Sequence, residues 1–199
     1  MVLSYKRRKK RGFNAKRIII VFFIILLILN AGNIGRFFFP IPYRQVIFKE
    51  AEVTGVDGYL LAGITKTESN FNPTAVSVKG ARGLVQIMPE TGKWVAGQRG
   101  IPNYSPDLLF NPEFNIKIGA YYVSDLYKEY NGDTVMVLAA YNAGQGNVKK
   151  WIEEKVWTGE RNNIDQIPFP ETRQFIRKVL FYQQTYRHLY NSIPQGKGK

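Results

Sequence analysis

Apolar residues occur in two arrangements along this chain: one unbroken run near the N-terminus, and stripes at helical spacing over the remaining residues. Residues 18–29 are all apolar, and no charged residue lies between Arg17 and Arg36. As a helix this uncharged stretch would extend about 27 Å, close to the roughly 30 Å hydrocarbon core of a bilayer. The run therefore predicts a transmembrane anchor over residues 18–36, followed by a proline-containing linker over residues 37–42.

After residue 42, apolar positions recur every three or four residues, which is the spacing of one buried helix face. One such row is Phe114, Ile118, Tyr122, Leu126 and Tyr130. With the caps, prolines and glycines between rows, the pattern predicts a helix from Asp57 to Asn72-Pro73 and further helices over residues 43–53, 89–98, 112–130, 134–141, 145–157 and 171–191.

The fold class predicted from this pattern is mostly α, with a single domain behind the anchor. No internal repeat is visible, and a small hairpin at residues 76–83 is the only strand pairing that the pattern leaves open. In the helix over residues 89–98, Trp94 and Val95 are expected to be buried.

One helix carries a carboxyl group to the edge of the predicted core. Leu60, Ile64 and Glu68 are spaced by four residues, so they share a face whose first two members are apolar. Desolvation there would raise the pKa of Glu68 from about 4.3 toward roughly 6, so that the carboxylic acid could donate a proton near neutral pH. On position alone, a helix-end glutamate that reaches back to water or caps a neighbour is the commoner explanation.

Other polar and aromatic side chains stand where the pattern is otherwise apolar. Gln86 lies in the run 84–88, so its amide needs hydrogen-bond partners from the protein or from a polar ligand such as a sugar. Tyr141 ends an almost wholly apolar helix. Its hydroxyl could reach a cleft, although a core tyrosine with a satisfied hydroxyl fits the spacing better. Trp151 and Trp157 suit sugar stacking and the core equally well.

Four motifs in order give the chain a specific resemblance. Glu68-Ser69 is followed by G-A-R-G-L-V-Q-I-M-P at residues 80–89, A-Y-N-A-G at 140–144 and I-P-F-P-E-T-R at 167–173. Over about residues 43–190 the chain resembles the lytic transglycosylase domain of the soluble-lytic-transglycosylase (SLT) type, a relative of goose-type lysozyme. The resemblance implies a lysozyme-like helical domain with a substrate cleft between helical lobes.

The resemblance also implies a reaction on peptidoglycan. Glu68 would protonate the glycosidic oxygen between N-acetylmuramic acid and N-acetylglucosamine, and then take the proton of the muramoyl C6 hydroxyl as a 1,6-anhydro ring closes without water. One carboxyl then suffices where ordinary glycoside hydrolysis uses two. The side chains that the resemblance assigns to the substrate-binding cleft are Ser77, Gln86, Tyr141, Asn142 and Glu171.

Two alternatives share most of these features. A hydrolytic muramidase would use the same fold and Glu68 but would leave a reducing sugar end. A catalytically silent peptidoglycan-binding module would keep Tyr141 and Gln86 without needing Glu68. The sequence departs from the family at Val85, where methionine is usual, and the loss of a flexible thioether could alter packing against the sugar.

Charge is concentrated at the N-terminus. The net charge is +13, and residues 1–17 contain eight basic side chains and no acidic one. Basic residues ahead of an apolar span favour a cytoplasmic N-terminus. We therefore expect a basic cytoplasmic tail over residues 1–17, a single-pass anchor in the cell membrane, and an extracytoplasmic transglycosylase domain over residues 43–191 with a flexible tail over 192–199.

A cleaved signal peptide is the alternative to the anchor, because Asn30-Ala31-Gly32 offers small residues, although no clear A-x-A site is present. Cysteine is absent and His188 is the only histidine, so the sequence offers no disulfide, no Cys/His metal spacing and no Ser/His/Asp set. We expect no metal and no cofactor. The expected partners are glycan strands and the membrane rather than nucleic acid, and a monomer is expected.

Overall fold

The structure is a computed structural model that describes residues 15–191. The basic residues before Ala15 and the tail expected after Asn191 lie outside the described residues. The described part is helical, with two short 3-10 helices, Pro106–Phe110 and Arg161–Gln166. Its α-helices are α1 Ala15–Phe38, α2 Arg44–Thr54, α3 Gly58–Ser69, α4 Pro89–Gln98, α5 Pro112–Glu129, α6 Thr134–Ala143, α7 Gln145–Glu153 and α8 Pro170–Tyr190.

β pairing in the described residues is limited to two isolated antiparallel bridges, which join Arg82 to Val76 and to Ile87. The bridge to Val76 lies where the sequence left a small hairpin open, and the bridge to Ile87 extends beyond that range. The predicted mostly α fold class is therefore confirmed.

The chain divides between Phe38 and Phe39 into two compact units. In the first, the segment Lys16–Phe38 is long and apolar enough to cross a membrane, with a mean hydropathy of 2.6. The apolar side chains of residues 18–29 are all exposed. A helix that is apolar on every side needs an apolar environment, which a bilayer supplies. A signal sequence would have the same properties.

The second unit is built around the contact of α3 with α8. A Cβ atom added to Gly63 of α3 would lie 2.9 Å from the carbonyl oxygen of Val179 on α8. Only glycine allows the two helices to approach this closely. Leu60, Ile64 and Val179 are completely buried at this contact, and α2, α5 and α6 complete the core around it.

Three predicted helix starts are confirmed by their caps. The Asp57 side chain accepts a 2.8 Å hydrogen bond from the main-chain N–H of Tyr59, and that of Asn111 accepts one of 2.9 Å from Phe114. Asp133 accepts from two N–H groups at the start of α6, both at 2.8 Å. Such caps satisfy donors that the first helical turn leaves without a partner.

Two helix ends differ from the prediction. α3 ends at Ser69 because Asn70 and Phe71 have φ angles of +51° and +62°, so the backbone leaves the helix before Pro73 is reached. α7 ends at Glu153 rather than near residue 157, and Lys155 follows it with a φ of +55°.

The three tryptophans have different environments. Trp151 and Trp157 are only 4% and 1% exposed and pack edge-on against each other, with ring centroids 6.4 Å apart. Both therefore belong to the core and neither can stack on a sugar. Trp94 was expected to be buried, and that prediction is wrong because its side chain is 47% exposed. The prediction for Val95 is confirmed, because this residue of α4 is completely buried.

Candidate active site

Glu68 lies in the last turn of α3, beyond the buried part of its helix face. Leu60 and Ile64 are completely buried, and the Glu68 side chain is half-buried. The Ser69 hydroxyl donates a 2.7 Å hydrogen bond to the carbonyl oxygen of Leu84. This bond fixes the end of α3 against residues 80–89, so Glu68 occupies a defined position at the edge of the core.

Burial raises the pKa of Glu68 from 4.5 to about 7. Within residues 15–191, no cation pairs with this carboxyl and no side chain donates a hydrogen bond that would stabilise its anion. Desolvation is therefore unopposed and favours the protonated form. A carboxyl group with this pKa is suited both to giving a proton and to taking one back near neutral pH.

Tyr141, in the last turn of α6, is an electrostatic neighbour of Glu68. Burial raises the pKa of its phenol well above the ordinary value of 10, and the negative charge of Glu68 raises it further. The Tyr141 hydroxyl donates a 2.5 Å hydrogen bond to the carbonyl oxygen of Val85, and the ring stacks on Phe175 with centroids 6.1 Å apart. Tyr141 is thus a neutral, firmly held phenol whose oxygen can still accept a hydrogen bond.

Gln86 follows Val85 in the chain and has the left-handed φ of +49°. Its Nε2 donates hydrogen bonds of 2.8 Å to the carbonyl oxygen of Gly83 and 3.1 Å to that of Ala75. An amide nitrogen has only two hydrogens. The main chain therefore uses both, and Oε1 is the atom of Gln86 that remains to accept a hydrogen bond from a ligand.

Ser77 closes a tight loop over residues 77–81. Its Oγ accepts a hydrogen bond from the N–H of Ala81, and its main-chain N–H donates to the Ala81 carbonyl, both at 2.9 Å. The Ser77 carbonyl accepts from the N–H of Gly80 at the same distance. The hydroxyl hydrogen of Ser77 is left available for a ligand.

Asn142 and Glu171 lie where α6 ends and α8 begins. The Thr172 hydroxyl donates a 2.7 Å hydrogen bond to Oδ1 of Asn142, so the two amide hydrogens of Asn142 remain available. The Glu171 carboxylate lies 3.8 Å from Nζ of Lys79, and both side chains are largely exposed. This exposed ion pair contributes little to stability. It shows that the loop over residues 77–81 lies next to the start of α8.

These contacts connect the six predicted residues through neighbouring segments. Tyr141 joins residues 84–86 to the neighbourhood of Glu68, and the adjacent Asn142 contacts the start of α8. The start of α8 in turn contacts the loop that carries Ser77. One half-buried acid is therefore accompanied by separate donors and acceptors, an arrangement suited to proton transfer on a ligand rich in hydroxyl and amide groups.

Asn115 is a residue of this region that the sequence pattern did not single out. It is completely buried on α5, where its Oδ1 accepts a 2.8 Å hydrogen bond from the N–H of Val85. Its Nδ2 donates to the carbonyl oxygens of Arg82 and Leu109, both at 2.9 Å. The sequence could have indicated Asn115 only by its position beside the apolar row of α5. An amide that is buried at such a position must find hydrogen-bond partners.

Val85 is itself completely buried, with its side chain directed at α5. A Cβ atom added to Gly119 of α5 would lie 2.4 Å from Cγ2 of Val85. The Val85 side chain is therefore not accessible to a sugar. Across the described residues, no three His, Asp or Glu side chains gather in a way that could hold a metal ion.

Two protein families match the chain. The family described as "Transglycosylase SLT domain" matches residues 45–164, which is more than half of the sequence. The family described as "Soluble lytic transglycosylase helical domain" matches residues 166–195.

Similar proteins are lytic transglycosylases of two kinds. The soluble lytic murein transglycosylase of Escherichia coli (strain K12) is 34% identical over 158 residues, which cover 78% of this chain and 24% of that protein. The membrane-bound lytic murein transglycosylase C of Edwardsiella ictaluri is 34% identical over 172 residues, which cover 74% and 47%. The chain thus spans about a quarter of the soluble relative and under half of the membrane-bound one.

Two solved structures of lytic transglycosylases have a fold similar to that of this chain. The lytic transglycosylase Slt of Pseudomonas aeruginosa, solved as an inactive mutant with glutamine in place of a glutamate, has a TM-score of 0.70 and 37% identity. That match covers 77% of this chain and 25% of the other. The 70 kDa soluble lytic transglycosylase of E. coli has a TM-score of 0.72 and 32% identity, covering 81% and 26%.

Proposed function

This chain belongs to the Transglycosylase SLT domain family, and on that premise we propose that it is a peptidoglycan lytic transglycosylase. It would cleave the β-1,4 bond between N-acetylmuramic acid and N-acetylglucosamine without water and leave 1,6-anhydromuramoyl ends. The observation that carries the proposal is the half-buried Glu68, whose pKa burial raises to about 7. The glutamate-to-glutamine replacement in the inactive P. aeruginosa relative supports a glutamate as the catalyst in this fold.

In the first half of the reaction, protonated Glu68 donates its proton to the glycosidic oxygen as the bond from that oxygen to C1 breaks. The acetamido oxygen of the substrate stabilises the positive charge that develops at C1. In the second half, the Glu68 carboxylate takes the proton of the muramoyl C6 hydroxyl, whose oxygen bonds to C1. Glu68 ends protonated as it began, and no water is consumed.

The other residues of the site would bind and orient the strand. The free hydroxyl hydrogen of Ser77 and the amide hydrogens of Asn142 supply donors, while Oε1 of Gln86 and the carboxylate of Glu171 supply acceptors. Tyr141 acts as a positioning residue, because its hydroxyl is held by Val85 next to Glu68. A site with both donors and acceptors suits sugars, which present hydroxyl and acetamido groups.

Mass spectrometry of the products from purified sacculi tests the reaction. The wild-type chain should release fragments ending in 1,6-anhydromuramic acid, lighter by one water than hydrolysed fragments, and Glu68→Gln should release none. Products ending wholly in reducing muramic acid would make the protein a hydrolytic muramidase. Binding to sacculi without any cleavage would make it a catalytically silent binding module.

We also propose that α1 is an uncleaved single-pass anchor that holds the catalytic domain outside the cytoplasm. The apolar surface of α1, the eight basic residues among positions 1–17 and the membrane-bound relatives support this topology. The same topology divides the chain into a cytoplasmic tail at 1–17, an anchor at 18–36, a linker at 37–42 and the domain at 43–191.

Fractionation of cells tests the topology. The protein should sediment with membranes, and protease added to cells stripped of their wall should digest the domain. Recovery of a soluble mature chain starting near Ala31 would instead identify residues 1–30 as a cleaved signal peptide.

A further inference from the structure

Most of the segment expected to be a linker is fixed on the last turns of α8. The hydroxyl of Tyr190 donates a 2.9 Å hydrogen bond to the carbonyl oxygen of Phe39, and that of Tyr186 lies 3.5 Å from the carbonyl oxygen of Pro40. The side chain of Ile41 is only 8% exposed and belongs to the core. Phe39 is therefore held in place by the second unit, of which it is the first residue.

The connection between the proposed anchor and this fixed segment is very short. The anchor ends at Arg36, and two residues separate it from Phe39. Consecutive Cα atoms are 3.8 Å apart, so the Cα of Phe39 lies at most about 11 Å from that of Arg36 whatever path the chain takes. The headgroup layer on each side of a bilayer is about 5–8 Å thick. If α1 spans the membrane, Phe39 therefore lies within the headgroups or just outside them.

An exposed aromatic ring of α8 lies beside this attachment point. The side chain of Phe181 is 56% exposed, and its ring centroid lies 6.5 Å from that of Phe39. The part of the chain that the structure describes thus leaves more than half of this side chain in water. An apolar ring at such a place gains free energy when lipid covers it.

The face of α8 that carries Phe181 is basic. Arg177, Lys178, Phe181, Gln184 and His188 follow one another at spacings that place them on one side of the helix, and all five are exposed. The helix contains four arginine or lysine residues, and its one acidic residue lies in the first turn. A basic surface around an aromatic side chain is complementary to anionic lipid headgroups.

The cations of this helix differ in whether a carboxylate already neutralises them. Arg177 pairs with Asp165, and Arg187 pairs with Asp57. Lys178 forms no ion pair among the described residues. Its charge is therefore available to a phosphate group of a lipid.

We propose that the face of α8 formed by Arg177, Lys178, Phe181, Gln184 and His188 docks on the surface of the membrane that α1 spans. This inference rests on the proposed anchor and goes beyond it, because an anchor alone leaves the domain free to turn. Phe181 would enter the headgroup layer beside the attachment point, and Lys178 would bind lipid phosphate. A second copy of the chain fits this face less well, since two basic faces repel each other.

Docking would also limit the distance between the candidate active site and the membrane. Thr172, in the first turn of α8, binds Asn142 of the site, whereas Tyr190 holds Phe39 at the last turn. The helix has 21 residues, so its two ends are about 30 Å apart. Cleavage would therefore be restricted to glycan strands close to the membrane surface.

Fluorescence quenching of the labelled full-length chain in vesicles of phosphatidylcholine and phosphatidylglycerol tests the docking. The chain has no cysteine, so Gln184→Cys provides a single labelling site on the proposed face. Gln98→Cys is the matched control, because Gln98 is also an exposed glutamine and lies on α4, which packs on α5. A nitroxide attached to the lipid headgroup should quench the label at position 184 about threefold more strongly than the label at position 98. Acrylamide in the water should show the opposite preference.

Two further substitutions test which side chains make the contact. Phe181→Ser and Lys178→Glu, each added to Gln184→Cys, should lower the lipid quenching toward the level of the control while the chain stays in the vesicle fraction. Lys178→Glu changes an exposed side chain, so it does not threaten the fold. Neither substitution should change the rate on soluble glycan strands, because neither residue belongs to the candidate active site.

Three results would contradict the inference in different ways. Equal lipid quenching at positions 184 and 98 would overturn the docking while leaving the anchor and the reaction intact, as would quenching that neither substitution lowers. Protection from acrylamide that requires dense protein and comes without lipid quenching would also overturn it, because a second copy would then cover the face. Absence of the chain from the vesicle fraction would contradict the proposed anchor itself.

Discussion

Replacing Glu68 by glutamine should make the protein more stable at high pH while abolishing its reaction. The ordinary pKa of 4.5 applies in the unfolded chain, whereas burial raises the pKa in the folded chain to about 7. Between these two values the unfolded chain has released a proton that the folded chain retains. Raising the pH therefore favours unfolding of the wild type, and the amide of Glu68→Gln does not have this dependence.

The magnitude follows from the two pKa values. At about 1.4 kcal/mol for every unit of pKa, the change from 4.5 to about 7 corresponds to about 3 kcal/mol. This is an upper value, since local rearrangement would lower the cost of ionising the carboxyl. Below pH 4.5 the carboxyl is protonated in both states, so the two proteins should have nearly equal free energies of unfolding there. Above pH 7 the variant should be more stable by up to the full amount.

Urea denaturation at a series of pH values between about 4 and 8 measures this difference. All three tryptophans lie in the second unit, so their fluorescence reports unfolding of that unit even when the full chain is held in detergent. Glu171→Gln is the matched control, because it makes the same chemical change at an exposed position and leaves Glu68 in place, so its curve should be parallel to that of the wild type. A difference between Glu68→Gln and wild type that does not change with pH would refute the reasoning, as would a variant less stable than wild type at pH 8.

Three other predictions concern the same region. The kcat/KM on glycan strands should fall as the pH rises through about 7, because Glu68 loses the proton that it must donate; a rate that rises through this range would contradict the acid role. Asn115→Leu should lower the free energy of unfolding by about 3 kcal/mol or more in urea, because three main-chain groups lose their buried partner. Gln86→Ala should lower it by about 1–3 kcal/mol, because two carbonyl oxygens lose a donor. A loss of turnover with no loss of stability would show that Gln86 acts mainly on substrate.

Helix starts could be predicted because the chemistry of a cap is local. Asp57, Asn111 and Asp133 each bind N–H groups within three residues, and the sequence places them before an apolar row. Helix ends were harder to predict from the sequence. Asn70 and Lys155 adopt positive φ without being glycine, and no residue type marks such positions reliably.

The residues of the candidate site could be predicted where helical spacing or a sequence motif points to them. The spacing of Leu60, Ile64 and Glu68 already gives the direction of the pKa change, because both apolar residues precede the acid on one face. The sequence could not say where the amide of Gln86 would find its partners. Asn115 was missed for a related reason, since it lies 30 positions from Val85 in the chain and only the fold brings them together.

A half-buried acid without a counter-charge keeps a raised pKa only if the surrounding structure does not relax around it. The wall next to Glu68 is held by a continuous set of polar contacts: Asn115 fixes the main chain of Val85, and the carbonyl of Val85 fixes the hydroxyl of Tyr141. Each of these groups already has a partner within the scaffold, so none is free to turn and stabilise the Glu68 anion. The same rigidity that makes ionisation of Glu68 costly therefore keeps its proton available to a substrate.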